Sequence, residues 1–256
     1  MKVTILGCGA SGGVPVLGGA NGEGDWGECD PAEPRNRRMR ASILVEEGDA
    51  RILVDTSPDL RFQCLRFGIV RLDAVLYTHD HADHTHGIDE LRRLHYLAHS
   101  PVKVFGDRET LASVTSRFAY AFAPADPSYR PFATAHEING PFTVGGIPVT
   151  PYPQYHGNVT SLGFRFGPIA YSTDLVGLPE ESYETLRGVK IWIVDCLKRE
   201  SHPTHAGLLI SLRMLEKVRP ERGVLTHMTG SLDYRTLAAE LPAGIAPAYD
   251  GLVLEA

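Results

Sequence analysis

Apolar residues along the chain gather in short runs bounded by glycine, proline and acidic residues, the pattern of many strands with helices between them. Residues 2–6 predict a first strand, broken at Gly7-Cys8-Gly9-Ala10-Ser11-Gly12-Gly13-Val14-Pro15, where small residues let backbone approach backbone or ligand. Ala41 to Glu46 and Arg51 to Asp55 predict a hairpin across Glu47-Gly48-Asp49. Ser57-Pro58-Asp59 predicts a helix start, with Ser57 or Asp59 as cap, running through Leu60, Phe62, Leu65 and Phe67 to a stop at Gly68. A strand over 72–78, a helix over 88–94, a strand over 102–105 and a helix over 107–118 follow, and Pro124, Pro127 and Pro131 mark an irregular connection. The second half repeats the style, with strands near 147–152, 162–166, 169–173 and 191–195, a helix near 205–218 and a strand near 223–226. The alternation predicts an α/β fold of two packed sheets with helices outside, in one domain over 1–256.

Composition narrows this picture. A chain of 256 residues with 43% hydrophobic residues can bury a substantial core. A formal charge of −6 argues against a surface built to wrap long nucleic acid, where phosphate neutralisation supplies most of the affinity. Cys8, Cys29, Cys64 and Cys196 are far apart with no C-x-x-C pair, which speaks against a disulfide framework and suits a reducing compartment. No run reaches membrane-spanning length, and the first residues read as a strand and not as a signal peptide. The expectation is a cytoplasmic protein.

The densest chemistry lies at His79-Asp80-His81-Ala82-Asp83-His84, just after the strand over 72–78. At average residue usage an H-x-H-x-D-H string arises by chance on the order of once in ten thousand chains of this length, so a merely solvated loop is set aside. Imidazole and carboxylate together suit zinc, manganese or iron. The glycine run after the first strand superficially invites a dinucleotide reading, but Val14-Pro15-Val16-Leu17-Gly18-Gly19 continues as loop where a helix would have to start. Residues 18–36 read as a long surface loop. It ends in Arg35-Asn36-Arg37-Arg38-Met39-Arg40, whose arginines suit either a substrate phosphate or a solvated face paired with acids.

Three further polar residues stand at predicted strand ends: His156, Asp174 after Ile169 to Thr173, and His227 after Val224-Leu225-Thr226. Together with the first cluster, the chain resembles the metallo-β-lactamase superfamily over nearly its whole length. The resemblance implies an αββα sandwich of two mixed sheets and two divalent metal ions, zinc or manganese. His79, His81 and His156 would bind one ion, Asp83, His84 and His227 the second, with Asp174 bridging. Asp55 would orient a ligand histidine. A carboxylate between two cations offsets their repulsion, and a shared water can lose a proton near neutral pH.

Within the superfamily, Gly7-x-Gly9-x-Ser11-x-Gly13-Val14-Pro15, Asn36-Arg37-Arg38 and His202-Pro203-Thr204-His205 are similar to the branch containing phosphoribosyl cyclic phosphodiesterase, with ribonuclease Z and pyrroloquinoline quinone biosynthesis protein B as neighbours. Members of that branch carry a structural zinc held by cysteines of the early loop and a histidine three residues after the last ligand. Here only Cys29 and Gly230 stand at those places, which predicts no structural zinc. The resemblance implies that His205 contacts the substrate phosphate or protonates the leaving oxygen. A neutral-range imidazole suits either role. Asp83, His202 and His205 are the catalytic candidates, and Ser11, Arg37, Arg38 and His205 the substrate-binding ones. The expected activity is hydrolysis of a small, cyclic phosphate ester of a nucleotide or sugar, with no membrane partner and a homodimer as a family-level expectation. Hydrolysis of a lactone, ester or thioester, and non-catalytic binding of a nucleotide or cofactor, are the rivals.

Overall fold

A computed structural model of the chain describes residues 1–124 and 130–256, so Pro127 of the expected irregular connection lies outside the described residues. The first sheet contains β1 (Lys2–Gly7), β2 (Ser42–Glu47), β3 (Ala50–Val54), β4 (Ala74–Leu76), β5 (Val102–Gly106) and β6 (Ala133–Glu137). The second contains β7 (Phe142–Val144), β8 (Ile147–His156), β9 (Val159–Phe166), β10 (Ile169–Ser172), β11 (Ile191–Asp195), β12 (Arg222–Thr226) and β13 (Ile245–Pro247); β14 (Val253–Glu255) returns to the first. Their orders are β14-β1-β2-β3-β4-β5-β6 and β13-β12-β11-β10-β9-β8-β7. In each sheet four consecutive strands run parallel, β3 to β6 and β10 to β13, and the others are antiparallel. Parallel strands share a carboxyl-end edge, which is where loops can present functional groups together.

The period of two in the sequence places the layers. Val3, Ile5, Ile43, Val45, Ile52, Val54, Ala74 and Leu76 face the second sheet and pack with Tyr152, Phe164, Phe166, Tyr171 and Ile193. The alternate residues Leu6, Leu44, Leu53, Val75 and Tyr77 form a second core under the helices α1 (Leu60–Phe67), α2 (Ala82–Thr85), α3 (Leu91–Ala98), α4 (Arg108–Arg117) and α5 (Ala119–Phe122). On the other sheet lie α6 (Glu180–Leu186), α7 (Leu208–Val218) and α8 (Tyr234–Glu240), whose Leu186, Met214, Leu215 and Leu237 are buried. This is the αββα sandwich. Each fully buried large apolar side chain contributes roughly 1.5–3 kcal/mol. Between the sheets the Tyr152 hydroxyl meets Ser172 Oγ at 2.6 Å, and Trp192 Nε1 donates to the same oxygen at 2.9 Å.

Local chemistry sets most element ends. The Asp107 side chain accepts from Thr110 N at 2.7 Å and caps α4. Gly68, at φ 66°, ends α1 in the left-handed conformation that a glycine adopts without cost. Asp59 occupies the cap position of α1 but its carboxylate is taken by Arg40, so it makes no cap hydrogen bond. The strand expected over 147–152 runs on to His156. Beyond Val149, among the described residues, it pairs with β9 on one side and meets the other side at the Tyr155–Gly177 bridge, so Pro151 and Pro153 fit without breaking the sheet. The helix expected from 205 begins at Leu208, because 198–207 is drawn along the sheet edge by the Lys198–Gly207 bridge.

Candidate metal centre

Strand ends bring the polar residues together. β4 delivers His79, His81, Asp83 and His84; His156 ends β8, Asp174 follows β10, and His227 follows β12. Asp55, Asp174 and His227 adopt left-handed backbone at φ 64°, 53° and 59°. Such conformations cost of order 1–2 kcal/mol outside glycine, though Asp and His tolerate them better than most residues. They turn each side chain off its strand toward one region.

Among the described residues three groups of potential ligands form there: Asp195, His205 and His227 make a smaller one, and the other two share Asp174. His79, His81, His156 and Asp174 make one, and Asp83, His84, Asp174 and His227 the other, each with its ligand atoms within 4.8 Å of one another. Asp174 belongs to both. Its Oδ1 lies 3.8 Å from both His79 Nε2 and His156 Nε2, while Oδ2 lies 3.1 Å from His84 Nε2 and 3.3 Å from His227 Nε2. Asp83 Oδ2 completes the second group at 3.3 Å from His84 Nε2. The Nε2 atoms of His79, His84 and His227 are buried and engage no hydrogen-bond partner among the described residues. Buried nitrogens without partners, converging on carboxylate oxygens, suit divalent cations.

Neighbours fix each imidazole. The Thr78 hydroxyl donates to Asp55 Oδ2 and meets His79 Nδ1 at 3.0 Å, so Nε2 is the atom left to face inward. His156 Nδ1 donates to the Thr204 carbonyl at 2.8 Å. Asp55, fully buried, accepts from His84 Nδ1 at 2.8 Å and from Thr78 N at 2.9 Å. These are contacts through which a carboxylate can orient an imidazole.

Charge differs between the two groups that share Asp174. Burial holds His79 and His156 below the ordinary imidazole range, keeping both neutral as ligands must be. Burial alone would raise Asp174, but His227, His84 and His79 around it hold the carboxyl well below its usual range. Burial opposes the charged form of His227 too, yet Asp174, Asp83 and Asp195 push it up to about 9.

The groups open into a cavity of about 770 Å³. Ser11 and Gly12 form one wall, Asn158 and Val159 another, and His202, Thr204 and His205 a third. His205 points in: its Nε2 lies 3.8 Å from Asp174 Oδ1, and its ring stacks on His227 at 4.9 Å. His202 borders the same cavity with its ring 5.4 Å from that of His205.

Two expectations need correction. Arg38 does not reach the cavity. It is 2% exposed, and its guanidinium donates to the carbonyls of Thr229 at 2.9 Å and Leu232 at 2.6 Å, tying down the turn after His227. Arg37 is exposed and stacks over Trp26 at 4.8 Å, outside the cavity lining. Both are structural surroundings of the loops, because the acceptors nearest to them are backbone carbonyls and an indole face.

One residue was missed. Asp195, at the end of β11 and fully buried, accepts from His205 Nδ1 at 2.9 Å and from Leu175 N at 3.1 Å. It thereby holds both His205 and the turn carrying Asp174. Its signal was present, an acid ending a predicted strand as Asp174 and His227 end theirs. At the early loop, Cys29 Sγ faces the Leu232 carbonyl at 3.5 Å, and Glu28 N donates to the Gly230 carbonyl at 2.7 Å.

Comparison with known proteins agrees with this geometry. Residues 50–228 match the family described as the beta-lactamase superfamily domain. A crystal structure of a diphosphatase from the PhnP family superposes with a TM-score of 0.90 at 35% identity, covering 99% of this chain and 97% of that one. The chain belongs to the metallo-β-lactamase superfamily, whose members are metal-dependent hydrolases, in the branch that includes this PhnP-family protein. Zinc-bound PqqB from Methylobacterium extorquens shares the fold at a TM-score of 0.76 and 21% identity, covering 100% of both chains. An octanoyltransferase from Porphyromonas gingivalis is 32% identical over 98% of this chain but only 51% of its own length. The chain spans about half the length of the curated relatives it matches. Among the described residues, no helix is long and apolar enough to cross a membrane.

Proposed function

We propose that the chain, acting as one hydrolase unit, is a phosphodiesterase with two divalent ions, zinc or manganese, that hydrolyses a small, cyclic phosphate ester of a nucleotide or sugar. The observation that carries this is Asp174, whose two carboxylate oxygens face two different groups of ligands. His79, His81 and His156 would hold one ion, and Asp83, His84 and His227 the other, with Asp174 between. When bound, such ions offset phosphoryl charge and acidify water. The PhnP-family relative is a diphosphatase, which supports phosphoryl chemistry at this site.

The chain's own groups supply orientation and proton control. Asp55 and Thr78 hold His84 and His79 with Nε2 inward. Asp195 accepts from Nδ1 of His205, which leaves Nε2 facing the cavity; with a proton on both ring nitrogens, the Nε2–H can donate to a phosphoryl oxygen or pass to the leaving oxygen. Ser11, on the facing wall, can donate to a second phosphoryl oxygen. Asp83 orders the reacting face through His84 and His227. The free cysteines Cys8, Cys29, Cys64 and Cys196 suit a cytoplasmic setting, and a homodimer follows from the family alone.

A second reading has one observation in its favour: no lysine or arginine lines the cavity among the described residues. An uncharged lactone, ester or thioester would need none. The test is elemental analysis of purified protein joined to a panel of cyclic phosphodiesters, diphosphates, lactones and thioesters with added manganese or zinc. Phosphodiester turnover lost in Asp174→Ala is expected; equal activity of wild type and variant, or lactone turnover alone, overturns the proposal.

A further inference from the structure

The cavity at the ligand groups does not end at the glycine loop. Ser11, Gly12 and Val16 form a ridge shared with a second cavity of about 610 Å³, whose other walls include Pro15, Leu17, Glu23 and Arg40. A molecule reacting at Asp174 and longer than one phosphate ester would cross this ridge. We propose that this second lobe seats the base of a nucleoside-bearing substrate, a flat, neutral and partly apolar group attached to the ester cleaved at the metal centre; this deepens the phosphodiesterase reading and rests on it.

Charge argues for a base over a second phosphate. Arg40 is the cation in the lobe, and it is already committed to Asp59, with Nη1 2.8 Å from Oδ1 and its backbone N–H on Oδ2. Glu23 contributes a carboxylate to the same walls. A second phosphate would meet one neutralised cation and one anion, whereas an uncharged ring is not repelled. The carboxylate can also accept from the N–H edge of a base.

The apolar surface points the same way. Leu17 is fully exposed at 102% and Val16 is 38% exposed, standing beside Pro15 on the loop. The loop's glycines permit this arrangement: a Cβ on Gly12 would lie 2.7 Å from Val16 Cγ1, and one on Gly24 2.6 Å from Pro15 Cγ. Small residues thus bring three apolar side chains to the lobe where a ring can lie across them.

The test uses the metal-replete full chain and two substrates with the same leaving group, thymidine 5′-(4-nitrophenyl) phosphate and methyl 4-nitrophenyl phosphate. We expect kcat/KM to favour the nucleoside ester by about tenfold or more, and Leu17→Asp to bring that ratio down by about tenfold. Because Leu17 is wholly exposed, the variant should fold as the wild type does. A wild-type ratio near one, or a ratio unchanged by Leu17→Asp, overturns the lobe assignment while leaving the phosphodiesterase reading intact. Turnover of neither ester by metal-bound protein that hydrolyses a cyclic phosphodiester overturns the lobe assignment alone, and turnover of no phosphodiester, cyclic or linear, overturns both.

Discussion

Each sheet contributes one buried carboxylate that braces a histidine, and the two braces differ in a telling way. Asp55, after β3, accepts from His84 Nδ1 at 2.8 Å and from the backbone of Thr78; Asp195, ending β11, accepts from His205 Nδ1 at 2.9 Å and from the backbone of Leu175. Both carboxylates have no solvent exposure. The first brace is saturated, since Thr78 also gives its hydroxyl, and the His84 side chain is 1% exposed. The second is open: among the described residues Asp195 Oδ1 engages no hydrogen-bond partner, His227 Nδ1 lying 3.9 Å away, and the His205 side chain is 12% exposed. A histidine braced at Nδ1 and buried among other potential ligands suits a metal, whereas one braced at Nδ1 and open to the cavity can meet a substrate.

Asp174 belongs to both groups of ligands and should show the largest effect. Asp174→Ala should lower hydrolysis by about a thousandfold, several kcal/mol of lost transition-state stabilisation, and should reduce bound metal in elemental analysis. The two braces should then separate. Asp195→Asn should cost about a hundredfold in kcat with alkyl leaving groups and much less with nitrophenolate, at unchanged metal content. Asp55→Asn should instead weaken metal binding about 10–100-fold, measured by competition with a chelating dye. Equal metal loss in both variants would erase the distinction drawn here.

Asp250 sharpens the point as a buried carboxylate with no histidine to brace. It accepts from Met39 N at 2.7 Å and Cys8 N at 3.1 Å, and burial pushes it up to about 7. A carboxyl raised on folding contributes stability that is complete below its unfolded value near 4 and is lost as pH rises through 7. Denaturant titrations should show stability falling by on the order of 1 kcal/mol or more between pH 4 and 7, with the slope flattened in Asp250→Asn. The smallest effect is expected at Ser11→Ala, a severalfold rise in KM with kcat little changed, because one neutral hydrogen bond is removed.

Much of this architecture was legible because it is written in local spacing. His79, His81, Asp83 and His84 are contiguous, and the period-two alternation placed β1, β2 and β3 closely. His156, Asp174 and His227 could be read as polar residues ending apolar runs. Asp195 carried the same mark but its partner His205 lies ten residues away in irregular chain, and no spacing rule joins them. The arginines misled for a related reason. Charge density does not reveal that Arg38 turns inward to carbonyls 191 and 194 residues downstream. The strands Phe142–Val144, Ile245–Pro247 and Val253–Glu255 were too short to show a period.

The contact between Gly27 and Gly230 has a practical consequence. A Cβ at Gly230 would sit 2.7 Å from the Trp26 carbonyl, and one at Gly27 2.8 Å from the Gly230 carbonyl, so neither position accepts a larger residue without parting the two segments. The early loop is therefore latched to the turn after His227 through main chain. Treatment with a strong chelator should strip the hydrolytic centre yet leave this latch shut, and a protease should find the loop no easier to cut than before.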